Sequence, residues 1–334
     1  MKKRELNIFD AGIAFVMAFV VAYITAFVGV LLTQFILKTS MSSGQISAFW
    51  DGVWGTLLQT IYMNIGFVIV FVFYYKRRAM KPILQKPTKP VLKYFGYCVA
   101  LGIMSLFLLS GALNYFQLLL DKLGFTVGEL TYSINKPWKL FISIVSMAVI
   151  PAVCEELVFR GVLVNALKSK GQIFAVILSS VMFAMFHFSP TQLLYPLFFG
   201  LILAIVYLRT NNIAFPIILH FINNALSILI QYFSGTGEEF VHSAGLLLYS
   251  LMTFAIWIYA MIILFKDFKK HIGFKNNLNK ELQNITSLQT YAQQMSDGDK
   301  TDLKINDFKQ KYNEKIFYGS LILMAIIYII MMMG

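Results

Sequence analysis

Residues 149–161 read Val-Ile-Pro-Ala-Val-Cys-Glu-Glu-Leu-Val-Phe-Arg-Gly, and this stretch puts three charged side chains inside an otherwise apolar run. A charged side chain at the centre of a membrane span costs roughly 2.5 to 3.5 kcal/mol on insertion scales, so such residues indicate function. Glu156 and Arg160 are four residues apart on one helix face, where they can form an ion pair. Glu155 points about 100° away from that face. It therefore needs a partner on another helix, a bound proton or a water-filled cavity.

Pro151 lies four residues before Glu155 and disturbs the backbone of the same predicted helix. Proline has no N–H group and its ring crowds the preceding turn, so we expect a kink at this point. The carbonyl of Met147 then has no helical donor. It is free to accept a hydrogen bond from water or from a neighbouring helix.

The composition of the 334-residue chain excludes a water-soluble protein. Hydrophobic residues make up 58% and charged residues only 13%, and the apolar residues occur in runs as long as membrane spans. We predict an all-α fold, a polytopic membrane helix bundle with about eight or nine transmembrane helices. The first run is too long for a signal peptide and is predicted to be a retained span. The predicted helices cover residues 11–37, 57–75, 93–119, 140–166, 173–188, 192–208, 213–233, 245–265 and 316–333.

The formal net charge of +12 does not indicate a nucleic-acid partner, because the basic residues lie mostly in loops. With the predicted spans, 23 of the 28 Lys and Arg residues fall on one side, four on the other, and one, Arg160, inside a helix. Positive loops stay in the cytoplasm, so the N-terminus is predicted to be cytoplasmic and the C-terminus external. We expect a multi-pass protein in contact with the lipid bilayer of a plasma membrane, and the richness in Ile, Lys, Asn and Phe favours a bacterial one.

Two histidines fall in predicted helices beyond the charged stretch. His187 ends the segment Phe183-Ala-Met-Phe-His, and His220 precedes Asn224 by four residues, so these last two side chains share a helix face. At 1.5 Å of rise per residue, the depths from the nearest cytoplasmic loop are roughly 20 Å for Glu155, 24 Å for His187, 12 Å for His220 and 18 Å for Asn224. These depths allow all four side chains to meet near the middle of the bilayer.

These residues resemble the CPBP intramembrane proteases, a family that includes the CAAX-processing endoproteases and the bacterial Abi-type bacteriocin-processing and immunity proteins. The family pattern is Glu-Glu-x-x-x-Arg, then Phe-x-x-x-His, then His-x-x-x-Asn, each on its own helix. This chain has all three in that order, and the resemblance covers roughly residues 140–234. The residues that match are Glu155, Glu156 and Arg160; Phe183 and His187; His220 and Asn224.

The resemblance implies an endopeptidase whose site opens within the membrane, usually toward the cytoplasm. It implies that Glu155 activates a water molecule with help from His187, and that His220 and Asn224 stabilise the oxyanion. Glu156 and Arg160 would hold the helix and orient the site. A carboxylate can serve as the general base of this reaction, and amide or imidazole N–H groups can donate to an oxyanion. The substrate would be a peptide or a membrane protein.

By this resemblance the chain divides into three parts. Residues 1–139 form N-terminal transmembrane helices, and residues 140–234 form a CPBP-like catalytic core of four helices. Residues 235–334 add C-terminal helices and a hydrophilic cytoplasmic segment at about 266–315.

A divalent metal, zinc, is the one cofactor that the residue types suggest. One carboxylate and two histidines are a known zinc ligand set, which here would be Glu155, His187 and His220. The spacing is not that of a His-Glu-x-x-His motif, and a glutamate-water mechanism uses the same side chains, so we favour a reaction without metal. Cys98 and Cys154 both lie in apolar runs and form neither a disulfide framework nor a zinc motif.

Two other functions stay open. Intramembrane Glu, His and Arg also build the proton relays of carriers, although the chain has no obvious inverted repeat. A non-catalytic membrane protein of the bacteriocin-immunity type would keep the same fold and motifs.

Overall fold

In a computed structural model, the chain folds into a bundle of helices. The predicted all-α membrane bundle is confirmed, with helical segments throughout the described part of the chain. The structure describes residues 5–78, 95–96, 99–100, 102–106, 110–124, 132–187, 192–234, 244–272 and 314–322.

Nine helices of the described ranges are numbered here in chain order. They are α1 (Ile8–Leu37), α2 (Ser43–Trp50), α3 (Val53–Arg77), α4 (Ser110–Lys122), α5 (Pro137–Lys170), α6 (Gln172–Met185), α7 (Leu194–Thr210), α8 (Ala214–Ser234) and α9 (Ala244–Ile272). Residues 314–322 are also helical.

Four helices in the described ranges are long enough to span a membrane. Within the described ranges, α1, α3, α5 and α8 have the length and apolar composition of a span, while α6, α7 and part of α9 are apolar but shorter. The predicted ranges for these two segments, 173–188 and 192–208, are short as well, so the lengths of α6 and α7 agree with the sequence. The predicted helices 93–119 and 316–333 lie partly outside the described residues, as does most of the hydrophilic segment at 266–315.

Helices α1 and α3 form a close pair at one side of the bundle. A Cβ atom built on Gly66 would lie 2.4 Å from the Cα atom of Ala22, so the two backbones approach as closely as small residues allow. At the ends of these helices, Asp10 accepts a hydrogen bond from Arg78 at 2.7 Å. The hydroxyl of Tyr74 also donates to the backbone carbonyl of Asp10 at 3.2 Å. These contacts fix α1 and α3 relative to each other.

Helix α5 is continuous but not regular, because π-helical turns occupy residues 145–149 and 159–164. The first of these lies directly before Pro151, where a wider turn gives the proline ring more room than an α-helix would. Phe159, on the second, packs edge-on against Phe183 of α6 with ring centroids 5.1 Å apart. The core of the bundle therefore surrounds the irregular part of α5.

Helices α6 and α7 form an antiparallel hairpin beside α5. A Cβ atom on Gly200 of α7 would lie 3.2 Å from the Cα atom of Ser180 in α6, so this contact is also close. Small residues at such crossings bring the backbone of one helix within reach of polar side chains on the next. Arg160 makes such a contact, because its side chain extends from α5 to a backbone carbonyl of α7.

Candidate active site

The Glu156–Arg160 pair is completely buried in the bundle. Nη1 of Arg160 donates to Oε1 of Glu156 at 2.9 Å, and both side chains have no exposed surface. Nη2 of Arg160 donates to the carbonyl of Gly200 at 3.2 Å. The guanidinium also lies 4.7 Å from the centre of the Phe183 ring, a cation–π distance. The predicted ion pair is confirmed, and it joins α5 to both α6 and α7.

Glu155 has a different environment from its neighbour. Its side chain is 19% exposed, and it lines a cavity of about 270 Å³ between the helices. Oε2 of Glu155 lies 4.0 Å from Nε2 of His220 on α8. Glu155 therefore has both features that the sequence led us to expect, a partner on another helix and a cavity. The cavity is lined by Thr60, Ser146, Met147, Pro151, Glu155, Phe183, His187, Tyr195, Pro196, Phe199, His220, Asn223 and Asn224.

His220 connects the two glutamates. Its Nδ1 lies 2.9 Å from Oε1 of Glu156, and since a carboxylate oxygen can only accept, Nδ1 is the donor in this bond when Glu156 is ionised. The ring is buried between Phe183 and Phe199, with centroids 5.8 and 6.1 Å away. These contacts leave Nε2 on the side of Glu155. Glu156 therefore orients the imidazole for work in the cavity.

His187 lies just beyond the end of α6 and is held by its own helix. Its Nδ1 is 3.0 Å from the carbonyl of Phe183, which lies near the helix end and also accepts a backbone bond from the N–H of Phe186 at 3.3 Å. A carbonyl oxygen accepts, so Nδ1 carries the proton and Nε2 of the neutral ring is the acceptor. The Phe183 ring packs against the imidazole at 5.1 Å. His187 can therefore accept a hydrogen bond from a molecule in the cavity.

Asn224 lines the cavity from α8. Its Nδ2 donates to the carbonyl of Met147 at 3.2 Å. Pro151 removes the helical donor of this same carbonyl, so the expectation that the Met147 carbonyl would be free for another helix is confirmed. An amide nitrogen carries two hydrogens, and this bond uses one of them.

Two residues of the cavity were missed by sequence reasoning. Asn223 is buried, and its Oδ1 accepts a hydrogen bond from the hydroxyl of Tyr195 on α7. Its Nδ2 donates to Oδ1 of Asn224 at 3.3 Å. Tyr195, Asn223 and Asn224 thus form a chain of hydrogen bonds that ends at Met147. The pair Asn223-Asn224 inside an apolar helix was the available signal, whereas nothing marked Tyr195.

The structure therefore brings Glu155, His187, His220 and Asn224 to one cavity and places Glu156 and Arg160 directly behind it. Their catalytic roles stay predictions. In the described ranges, no group of three His, Cys, Asp or Glu side chains has the geometry to hold a metal ion.

A comparison with known protein families finds a match for this part of the chain. Residues 137–226 match the family model for the type II CAAX prenyl endopeptidase Rce1-like proteins. The matched segment runs from the start of α5 into α8 and contains every candidate residue. It supports the predicted assignment to the CPBP (CAAX protease) family and, in general terms, an intramembrane endopeptidase. No curated protein and no solved structure matches the chain.

Proposed function

We propose that the chain is an intramembrane endopeptidase of the CPBP type, which hydrolyses a peptide bond in a peptide or membrane-associated substrate. One observation carries the proposal: the Glu155 carboxylate lines a cavity 4.0 Å from Nε2 of His220, with His187 and Asn224 in the same lining. The family match over residues 137–226 supports a protease independently of this geometry.

In the first step, Glu155 removes a proton from a water molecule as the water oxygen attacks the carbonyl carbon of the substrate. A positioned general base of this kind contributes about 10²- to 10⁴-fold to the rate. His187 supports the step because its Nε2 accepts a second hydrogen bond from the same water. The proton on Nδ1 is already committed to the Phe183 carbonyl.

In the second step, the oxyanion of the tetrahedral intermediate is stabilised by donors from α8. Asn224 offers the N–H that its bond to Met147 leaves unused. His220 donates from Nε2 when its ring is protonated, with Nδ1 held by Glu156. Donors fixed in this way need no reorganisation as charge develops. The chain of hydrogen bonds from Tyr195 through Asn223 keeps the Asn224 amide in place.

In the last step, the C–N bond breaks and Glu155 returns its proton to the leaving amine. The products are a new amine and a new carboxylic acid, which then loses its proton to the amine or to water, and the Glu155 carboxylate is regenerated. These steps use only the side chains of Glu155, His187, His220 and Asn224, and we propose that they need no metal. We propose that the protein lies in a bacterial plasma membrane and that its substrates resemble those of the Abi-type proteins of the family.

The variant Glu155→Gln tests the proposal, since it keeps the shape of the side chain and removes the base. Purified protein in liposomes is incubated with quenched fluorogenic peptides, including a prenylated CAAX peptide and its unprenylated form. We expect the cleavage rate to fall by about 10²- to 10⁴-fold. The exposed residue Glu5 offers a matched control, and Glu5→Gln should cleave like the wild type. Equal cleavage by Glu155→Gln and wild type would remove the enzyme proposal.

A further inference from the structure

One wall of the cavity comes from α3, which lies outside the segment that matches the protease family. Of the thirteen described residues that line the cavity, twelve lie within residues 137–226, and Thr60 of α3 is the exception. In the described ranges, α5 packs against both α3 and α8, whereas α3 and α8 scarcely touch each other. Thr60 therefore reaches the cavity from the side opposite His220 and Asn224, which belong to α8.

Three side chains of the lining carry a hydroxyl group, and two of these groups are already committed to the protein. Ser146 donates to the carbonyl of Ile142 at 2.9 Å, and Tyr195 donates to Asn223. The hydroxyl of Thr60 has no hydrogen-bond partner within the part of the chain that the structure describes. It is therefore the hydroxyl of the lining that is left for a bound molecule.

Thr60 also differs from the three other threonines of α1 and α3. The hydroxyls of Thr25, Thr33 and Thr56 each donate to a carbonyl one turn earlier in their own helix, the usual partner of a helical threonine. The backbone carbonyl of Thr60 is itself occupied, because it accepts from Nδ2 of Asn64 at 2.8 Å. The side chain is thus the part of Thr60 that can bind a molecule in the cavity.

The substrate meets side-chain donors on α8, but most side-chain acceptors of the lining are in use. The amide oxygens of Asn223 and Asn224 both accept from neighbouring side chains. Glu155 and His187 accept from the water molecule in the proposed reaction. The oxygen of the Thr60 hydroxyl is an acceptor that none of these bonds uses.

The geometry of a peptide bond connects the two walls. A trans peptide unit is planar, so its N–H points away from its C=O. When the scissile C=O points to the donors of α8, the N–H of the same unit points across the cavity toward α3. A threonine hydroxyl there can accept this N–H, since it rotates to suit its partners.

We infer that Thr60 binds the N–H of the scissile peptide bond and so helps to select the substrate. The inference rests on the proposed function and adds to it the class of bond that is cleaved, a secondary amide. A peptide with proline directly after the scissile bond has no N–H at this position and is a poor substrate. Substrate selection thus depends on α3 as well as on the segment that matches the family.

Two enzymes and two substrates test the inference in one cycle. The first substrate is a fluorogenic peptide that the wild type cleaves at a mapped bond, and the second is its depsipeptide, in which an oxygen atom replaces the scissile N–H. Thr60→Val replaces the hydroxyl with a methyl group of similar size. We expect this variant to lower kcat/KM for the peptide about fivefold, the contribution of one ordinary hydrogen bond. For the depsipeptide, kcat/KM should stay close to the wild-type value, because the bond is absent in both enzymes.

Two further variants separate the hydroxyl from the fold. Thr60→Ser, which keeps the hydroxyl, should recover most of the loss. Thr56→Val is the matched control, because Thr56 lies one turn earlier on α3, does not line the cavity and donates to the carbonyl of Gly52. It should cleave both substrates like the wild type.

Equal kcat/KM of Thr60→Val and wild type for the peptide would overturn the inference. An equal loss for the peptide and the depsipeptide would also overturn it, because the N–H would then have no part in the effect. If the wild type cleaves and Glu155→Gln does not, the proposed function stands whatever Thr60→Val does. Cleavage by Glu155→Gln at the wild-type rate would instead remove the proposed function, and this inference with it.

Discussion

Replacing Glu156 with glutamine would leave the Arg160 guanidinium buried without a charged partner. Both side chains are fully buried and 2.9 Å apart, and after the change the main remaining acceptor is the carbonyl of Gly200. Breaking a buried ion pair by removing one partner costs about 3 to 5 kcal/mol. Oε1 of Glu156 also accepts from His220, so the same substitution weakens a second contact. We expect Glu156→Gln to lower the free energy of unfolding by about 3 to 5 kcal/mol.

The assay is reversible unfolding in mixed detergent–SDS micelles, followed by far-UV circular dichroism. Glu5→Gln is the matched control, because Glu5 is exposed. The double variant Glu156→Gln/Arg160→Met should lose less stability than Glu156→Gln alone, because no unpaired charge then stays in the core. A single variant within about 1 kcal/mol of wild type, or a double variant that loses more than the single one, would refute this account of the pair.

Three further predictions concern other parts of the molecule. Tyr195→Phe removes the donor to Asn223, and the loss of about 1 kcal/mol of positioning should lower kcat about fivefold with little change in KM; an unchanged kcat in steady-state assays would contradict this. Gly66→Leu forces α1 and α3 apart at Ala22 and should cost at least about 1 to 3 kcal/mol in the same unfolding assay, so wild-type stability would count against the close helix contact. Dialysis against a strong chelator should leave cleavage and stability unchanged, whereas activity lost and then restored by zinc would require a metal in the mechanism.

Features that depend on one helix could be predicted from the sequence. The Glu156–Arg160 bond follows from a spacing of four residues, and the free carbonyl of Met147 follows from the position of Pro151. Helix α2 was missed because eight residues with Ser, Gly and Gln among them lack the length and hydropathy of a span. Spacing along one helix thus predicts which side chains share a face and which carbonyl lacks a donor. The length of an apolar run decides whether a helix can be recognised in the sequence.

Contacts between helices could not be derived in the same way. Periodicity tells which face of α8 carries His220, but it does not tell which carboxylate of α5 that face meets. The structure shows Nδ1 of His220 on Glu156 and Nε2 near Glu155, so the imidazole contacts both. Tyr195 is a similar case, since its partner lies 28 residues away on another helix. Such pairings depend on helix packing, which a single sequence does not specify.

Isotope labelling tests whether Glu155 activates a water molecule for peptide hydrolysis in this cavity. The wild type and Glu155→Gln are incubated with a cleaved fluorogenic peptide in ¹⁸O-enriched water, and the products are analysed by mass spectrometry. We expect one ¹⁸O atom in the new C-terminal carboxylate from the wild type, and almost no product from the folded variant. Labelled product formed at the wild-type rate by Glu155→Gln would contradict this role of Glu155.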